Sequence, residues 1–178
     1  EAEENILPHE DKEVSQWVKK VFKKKKINIL TGILADKIDD EKILISVGVE
    51  GNSQGMGLEK IGVQFSANNH IAVDSNGKTN IDNIYAVGDV IGAPWLAHVS
   101  AAEGLYAVEH LVGLNPKEID YNSVPACTYS KPEVASIGST EQQLLDDGID
   151  FKVAKSFFIS NGKAVAVGAT DGLSLIHI

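Results

Sequence analysis

The residues best placed to do chemistry lie in NIYAVGDVIGAPWLAH, residues 83–98. An apolar run, 84–87, leads into Gly88 and then Asp89. Ligands of open α/β sheets bind beyond the carboxyl ends of strands. An ionised carboxylate there only accepts hydrogen bonds, which suits a polyol hydroxyl. Gly88 lets the backbone come close to a neighbour. Beyond a Gly/Pro loop, a helix is expected to begin near Leu96, Ala97 and His98. Its first N–H groups lack intrahelical partners and carry partial positive charge. Ala97, Ala101, Ala102 and Gly104 keep one helix face shallow, so that a flat group could pack there. The competing reading is a local Asp turn cap beside an ordinary helix, and the residues alone leave both open.

Other candidates are weaker. Gly55-Met-Gly57 with Gly62 has the wrong spacing for a GxGxxG phosphate cradle and follows a polar loop, so turn glycines are the better reading. Of the five histidines, His9, His70, His98, His110 and His177, no two have metal-ligand spacing on one helix face. No GxSxG elbow accompanies them. Cys127 is the single cysteine, so neither an internal disulfide nor a CxxC dithiol can form within this chain.

These residues need elements to hold them. Val14, Trp17, Val18, Val21 and Phe22 form one apolar stripe and predict a helix over 10–25. Acidic residues open it and the lysines 23–26 close it, the order that complements a helix dipole. The lysine run therefore reads as a solvated helix end. Strands are expected at 27–30, 43–47, 71–73 and 84–87, a loop at 50–57, a tight turn at Ser75-Asn76-Gly77, and a helix over 97–112 stopped by Gly113. Beyond residue 118 come short strands at 127–129, 134–137, 151–157 and 164–167. A capping box within 139–142 opens a short helix that ends at Gly148. This mixture predicts an α/β chain with an α+β carboxyl-terminal part.

The chain has 178 residues and a formal net charge of -9, which gives no general attraction to nucleic acid or anionic membranes. No apolar run approaches the roughly 20 residues of a membrane helix. The amino terminus has neither the basic nor the apolar region of a signal peptide, and a cytoplasmic location is expected. The only methionine is Met56, and LSLIHI at the other end carries no stop signal. Both ends lead us to expect a piece of a longer chain.

Four segments carry a resemblance. TNIDNIYAVGDVIGAPWLAHVSAAEG is similar to the second flavin-binding segment of the flavoprotein disulfide reductases, and PACTYSKPEVASIGSTEQQ to the opening of their interface domain. ILPHEDKEVSQWVKKVFKKKKINILTG resembles the second half of their NAD-binding domain. ILISVGVEGNSQGMGLEKIGV resembles the strand and loop returning to the FAD domain. The order of all four matches, over about residues 1–172. The resemblance implies remnants of NAD- and FAD-binding Rossmann-like domains followed by an incomplete interface, or dimerisation, domain. The expected division is 1–48 (NAD part), 49–117 (FAD part), 118–172 (interface part) and 173–178 (a tail outside the family, resembling out-of-frame or adapter-derived sequence).

By this resemblance Asp89 binds a ribityl hydroxyl of FAD, with Gly88 beside it. The backbone of Leu96, Ala97 and His98 approaches the flavin's N1–O2 edge. Glu1 stands where the family binds the adenosine ribose of NAD, and Val47-Gly48 lies near the nicotinamide. PWLAH and the interface opening are most similar to the branch that oxidises a dihydrolipoyl arm. Its members are homodimers whose partners are lipoyl-bearing subunits of 2-oxo-acid dehydrogenase or glycine-cleavage complexes. A mercuric- or glutathione-reductase type and a non-catalytic remnant are the alternatives. The family's redox dithiol, both GxGxxG segments and the His-Glu acid–base pair have no counterpart here, so no catalytic residue is assigned. The isolated chain is expected to be inactive. The interval from Thr31-Gly32 to Val47-Gly48 is shorter than the family's antiparallel meander, which predicts an internal deletion.

Overall fold

The structure is a computed structural model that describes residues 1–34, 39 and 41–178. The chain divides into two compact units. One is contiguous, Ser46–Val124; the other is composite, made of Glu1–Ile45 and Pro125–Ile178.

In the contiguous unit, Val63, Ile71 and Ala86 form the buried centre, with Leu58, Phe65, Val73, Ile81, Ile84, Val90 and Ile91 packed around them. Its extended segments meet through single antiparallel bridges, Phe65 with Ile71 and Lys78 with Tyr85. The expected strands at 71–73 and 84–87 are therefore reduced to one bridge each. The tight turn is present: the Gly77 N–H donates to the Asp74 carbonyl at 3.1 Å. The Asp74 carboxylate accepts the N–H groups of Asn76 and Lys78 at 2.9 and 3.0 Å. Gly77 has φ +74°, and a Cβ on it would lie 3.2 Å from the Ala86 carbonyl oxygen, so conformation and space both favour glycine.

Helix α2, Ala97–Leu111, buries Val99, Glu103, Tyr106 and Ala107, an i, i+4, i+7, i+8 face. The Tyr106 hydroxyl donates to Asn76 Oδ1 at 3.1 Å and ties this face to the turn. Gly113, at φ +79°, stops the helix as expected. The N–H groups of Gly113 and Leu114 donate to the carbonyls of His110 and Glu109, the paired bonds of a Schellman motif.

The composite unit begins with helix α1, Lys12–Lys24, which buries Ser15, Val18 and Val21. Trp17 packs on Phe157 with ring centroids 5.9 Å apart. At the helix end, Lys25 Nζ donates to the Lys131 carbonyl, and Lys24 lies 3.6 Å from Asp171. Strands β1, Ala126–Thr128, and β2, Val134–Ser136, pair antiparallel. Helix α3, Glu141–Asp146, follows. Its capping box is Thr140 with Gln143, one residue later than the sequence suggested. Strand β3, Val153–Phe157, pairs antiparallel with β4, Leu173–His177. The terminal LSLIHI stretch thus supplies a strand.

Three strand expectations are corrected. Residues 164–167 are not extended: Gly162–Ala166 is a short helix, α4. Asn161 Oδ1 accepts the Ala164 N–H at 3.0 Å, and Gly168, at φ +67°, ends it. Caps at both ends override the strand preference of the alternating valines. Residues 27–30 and 43–47 form no strand. Among the described residues the Leu30 carbonyl accepts only the terminal amine, and Leu44 is 95% exposed. An apolar run with no neighbouring ladder has nothing to satisfy its backbone as a strand. Part of the shortened interval 31–48 lies outside the described residues. No helix among the described residues is long and apolar enough to cross a membrane.

Candidate cofactor-binding site

The contiguous unit brings together five of the seven expected site residues. Val87 is extended, and the chain then turns through a 3-10 turn, Gly88–Ile91. Gly88 is buried, with φ +77°. A Cβ there would lie 2.8 Å from the Ser100 hydroxyl on α2. The turn and the helix are therefore in van der Waals contact, and only glycine fits between them.

Asp89 is exposed on this turn. Its carboxylate accepts no hydrogen bond among the described residues, and the turn has no side-chain cap. Two other aspartates in the unit behave differently. Asp74 is consumed by its own turn. Asp120 accepts the Ser123 hydroxyl at 2.6 Å and the Asn122 N–H at 3.1 Å, with Ser123 foremost in holding its carboxyl below the usual range. The local-cap reading thus describes Asp74 and Asp120 but not Asp89.

Leu96 is the residue before α2 and supplies no side-chain cap. Its carbonyl accepts the N–H groups of Val99 and Ser100, both at 3.0 Å. Ala97 and His98 open the helix on its exposed side, while Val99 faces inward at 2% exposure. The small residues Ala101 and Ala102 are likewise exposed and leave a shallow outer face. Gly48 is also in this unit, exposed with φ +119°. Glu1 belongs to the composite unit, where its carboxylate accepts the Glu3 N–H at 3.1 Å.

Glu103 escaped the sequence reading. It is a buried carboxylate, 7% exposed. Its Oε2 accepts the Gly88 N–H at 2.6 Å, and its Oε1 accepts the Tyr121 hydroxyl at 2.8 Å. Burial, then this hydrogen bond, pushes the Tyr121 phenol up to about 12. A glutamate within an alanine-rich helix start is the only signal the sequence offers. Behind the turn lies a cavity of about 370 Å³ lined by Asp74, Asn76, Val87, Glu103, Tyr106 and Tyr121, among others.

In the composite unit, Asp11, Glu141 and His177 place one potential ligand atom each within 4.8 Å of one another. Asp11 Oδ1 already accepts the Glu141 N–H at 2.8 Å. His177 comes from the terminal stretch 173–178, outside the resemblance, and we assign this cluster no function.

The amino-terminal segment, residues 1–104, matches the family described as pyridine nucleotide-disulphide oxidoreductase. The chain belongs to that family. Residues 124–176 match the dimerisation domain of the same pyridine nucleotide-disulphide oxidoreductases. Among curated relatives, the dihydrolipoyl dehydrogenase of Zymomonas mobilis is 40% identical over 189 residues, covering 94% of this chain and 40% of the relative. A dihydrolipoyl dehydrogenase of Bacillus subtilis is also 40% identical, covering 97% of this chain and 41% of its own length. The chain thus spans about two fifths of the length of these relatives. Two solved structures share the fold. LpdA from Mycobacterium tuberculosis matches with a TM-score of 0.85 at 23% identity, over 99% of this chain and 42% of that one. The HOCl-induced flavoprotein disulfide reductase RclA from Escherichia coli matches with a TM-score of 0.88 at 21% identity, over 100% of this chain and 45% of that one.

Proposed function

We propose that this chain supplies part of the cofactor-binding framework of a dihydrolipoyl dehydrogenase, and that the Gly88–Asp89 turn with the start of α2 is its flavin contact. The observation that carries this reading is the Asp89 carboxylate. It is exposed on a turn that follows an extended segment, has no protein partner among the described residues, and stands beside a helix start with no side-chain cap. An orphan acceptor next to oriented N–H groups fits a polyol phosphate ester such as the ribityl chain of FAD.

Bound FAD would relay electrons between a dithiol substrate and NAD. Asp89 would accept a hydrogen bond from a ribityl hydroxyl and fix the chain's register. The Leu96, Ala97 and His98 backbone would face the N1–O2 edge, where a helix N-terminus favours negative charge. Gly88 would keep the approach open. Glu1 would hold an adenosine ribose hydroxyl of NAD, and Gly48 would lie near the nicotinamide. The chain would divide functionally at 1–48, 49–117, 118–172 and 173–178. A homodimer formed through the interface part, docking lipoyl-bearing subunits of 2-oxo-acid dehydrogenase or glycine-cleavage complexes, completes the proposal. A cytoplasmic location goes with it.

The 178 residues by themselves would not turn over dihydrolipoamide. The reaction needs a redox dithiol, and Cys127 is the only thiol present. NAD-linked turnover by the purified chain would refute this. For the site, the test is Asp89→Ala in a protein extended to the relatives' full length. Losing a charged acceptor should weaken flavin retention by about 10- to 100-fold. Unchanged flavin content and affinity would reduce Asp89 to an unused surface carboxylate.

A further inference from the structure

We infer that Glu103 is a positioning residue for the Asp89 turn and that Tyr121 sets its grip. The turn's geometry would then depend on the segment by which the chain leaves the contiguous unit. The functional weight of this inference rests on Asp89 being the cofactor hook; the coupling itself does not.

A buried carboxylate is costly unless its lone pairs are met by donors. Glu103 has two: the main-chain N–H of Gly88, fifteen residues earlier, and the phenol of Tyr121, eighteen residues later. Among the described residues no lysine pairs with Glu103, so these two donors carry its stabilisation. The Gly88 bond is short, 2.6 Å, as expected for a charged acceptor. It acts on the residue that directly precedes Asp89, and the close contact of Gly88 with Ser100 fixes its other side.

Tyr121 is itself held. It opens the turn Tyr121–Ser123, which Asp120 caps through the Asn122 N–H and the Ser123 hydroxyl. A chain of bonds therefore runs from the Asp120 turn through Tyr121 and Glu103 to the Gly88 amide. If Tyr121 withdraws, one Glu103 oxygen loses its donor, and the carboxylate can turn away from Gly88. The exit segment and the cofactor turn then share one hydrogen-bonded acceptor.

The test uses the complete 178-residue chain, isotopically labelled, and needs no cofactor. Tyr121→Phe removes one donor and keeps the ring. It should leave far-UV dichroism unchanged, shift the Gly88 amide proton resonance and speed exchange of the Gly88 amide about tenfold. Glu103→Gln keeps the shape: its carbonyl can still accept from Gly88, and its amide can donate to the phenol oxygen. It should fold where Glu103→Ala fails, and it should move the Gly88 amide upfield as a neutral acceptor replaces a charged one. In the Glu103→Gln background, Tyr121→Phe should have a clearly different effect on Gly88. A Gly88 amide that ignores Tyr121→Phe, or strictly additive effects, would overturn the inference. If instead the coupling appears while Asp89→Ala leaves flavin retention unchanged in the full-length protein, the cofactor reading fails and the coupling stands.

Discussion

The contiguous unit and the composite unit are held by different means. The contiguous unit packs apolar residues around Val63, Ile71 and Ala86; its buried polar residues Ser53, Thr79 and Glu103 have hydrogen-bond partners, and His70 has one at Nδ1 but none at its buried Nε2 among the described residues. Among the described residues of the composite unit, buried apolar ones are few: Val18 and Val21 on α1, Val134 on β2 and Ala164 on α4. All five residues of β3 are exposed. Much of what joins its two chain segments is polar and near the surface. The Ser136 hydroxyl donates to Glu10, the Glu141 N–H to Asp11, and Lys155 pairs with Glu13. Exposed ion pairs contribute little, typically below about 1 kcal/mol each. Buried apolar surface contributes roughly 25 cal/mol per Å². The comparison separates a region with its own core from one whose order rests on weak, salt-sensitive contacts.

Each unit contains one tryptophan, Trp17 in the composite unit and Trp95 in the contiguous one, so the two can be followed separately. The largest expected effect is from Ile71→Ala. It should lower the stability reported by Trp95 by about 2–5 kcal/mol and leave the Trp17 transition nearly in place. Coincident shifts of both signals would show that the two units unfold as one.

Next in size is the contrast within the unmutated chain. Amides of β3 and β4 should exchange at least about tenfold faster than those of Ile71 and Ala86. Equal protection would mean that the composite unit has more cohesion than its exposed strands suggest.

Tyr121 gives a pH effect confined to the contiguous unit. Its folded value, about 12, lies above the ordinary 10. The neutral phenol is therefore the form favoured by folding. Its contribution is complete below about pH 10 and is lost as pH rises through about 12. The Trp95 transition should weaken over that window, and Tyr121→Phe should flatten the dependence. A window unchanged by Tyr121→Phe would assign the loss to other groups.

The smallest effect is expected from Lys155→Ala. It should destabilise the Trp17 transition by less than about 1 kcal/mol, and 1 M salt should erase most of the difference. A larger, salt-resistant loss would mean that the Lys155 stem packs as part of a core.

What the sequence made legible was what local chemistry decides. The apolar stripe and charge order of 10–25 became α1. The Gly113 stop and the Asp74–Gly77 hydrogen-bonded turn followed from residues that need positive φ or cap their own backbone. The valines of 164–167 misled because their alternation is a weaker signal than the Asn161 cap and the Gly168 stop. The runs 27–30 and 43–47 misled because a strand is defined by its neighbour, and among the described residues neither has a ladder: Leu30 meets the terminal amine and no paired strand. For Gly88 and Asp89 what could be read was their place, on a turn that follows an extended segment. Glu103 could not be read, because its two donors lie fifteen and eighteen residues away and meet it only once α2 has packed.

The order in which the chain is made bears on the composite unit. Its first segment ends at Ile45 and its second begins at Pro125, so the whole contiguous unit is synthesised in between. At about 5–20 residues per second, α1 waits several seconds before the partners of Glu10, Asp11 and Glu13 emerge. Closing so long an interval also adds loop entropy that local contacts cannot offset. Helix α1 is therefore among the last elements of its unit to dock, and until then its apolar stripe is open to chaperones, proteases and other nascent chains.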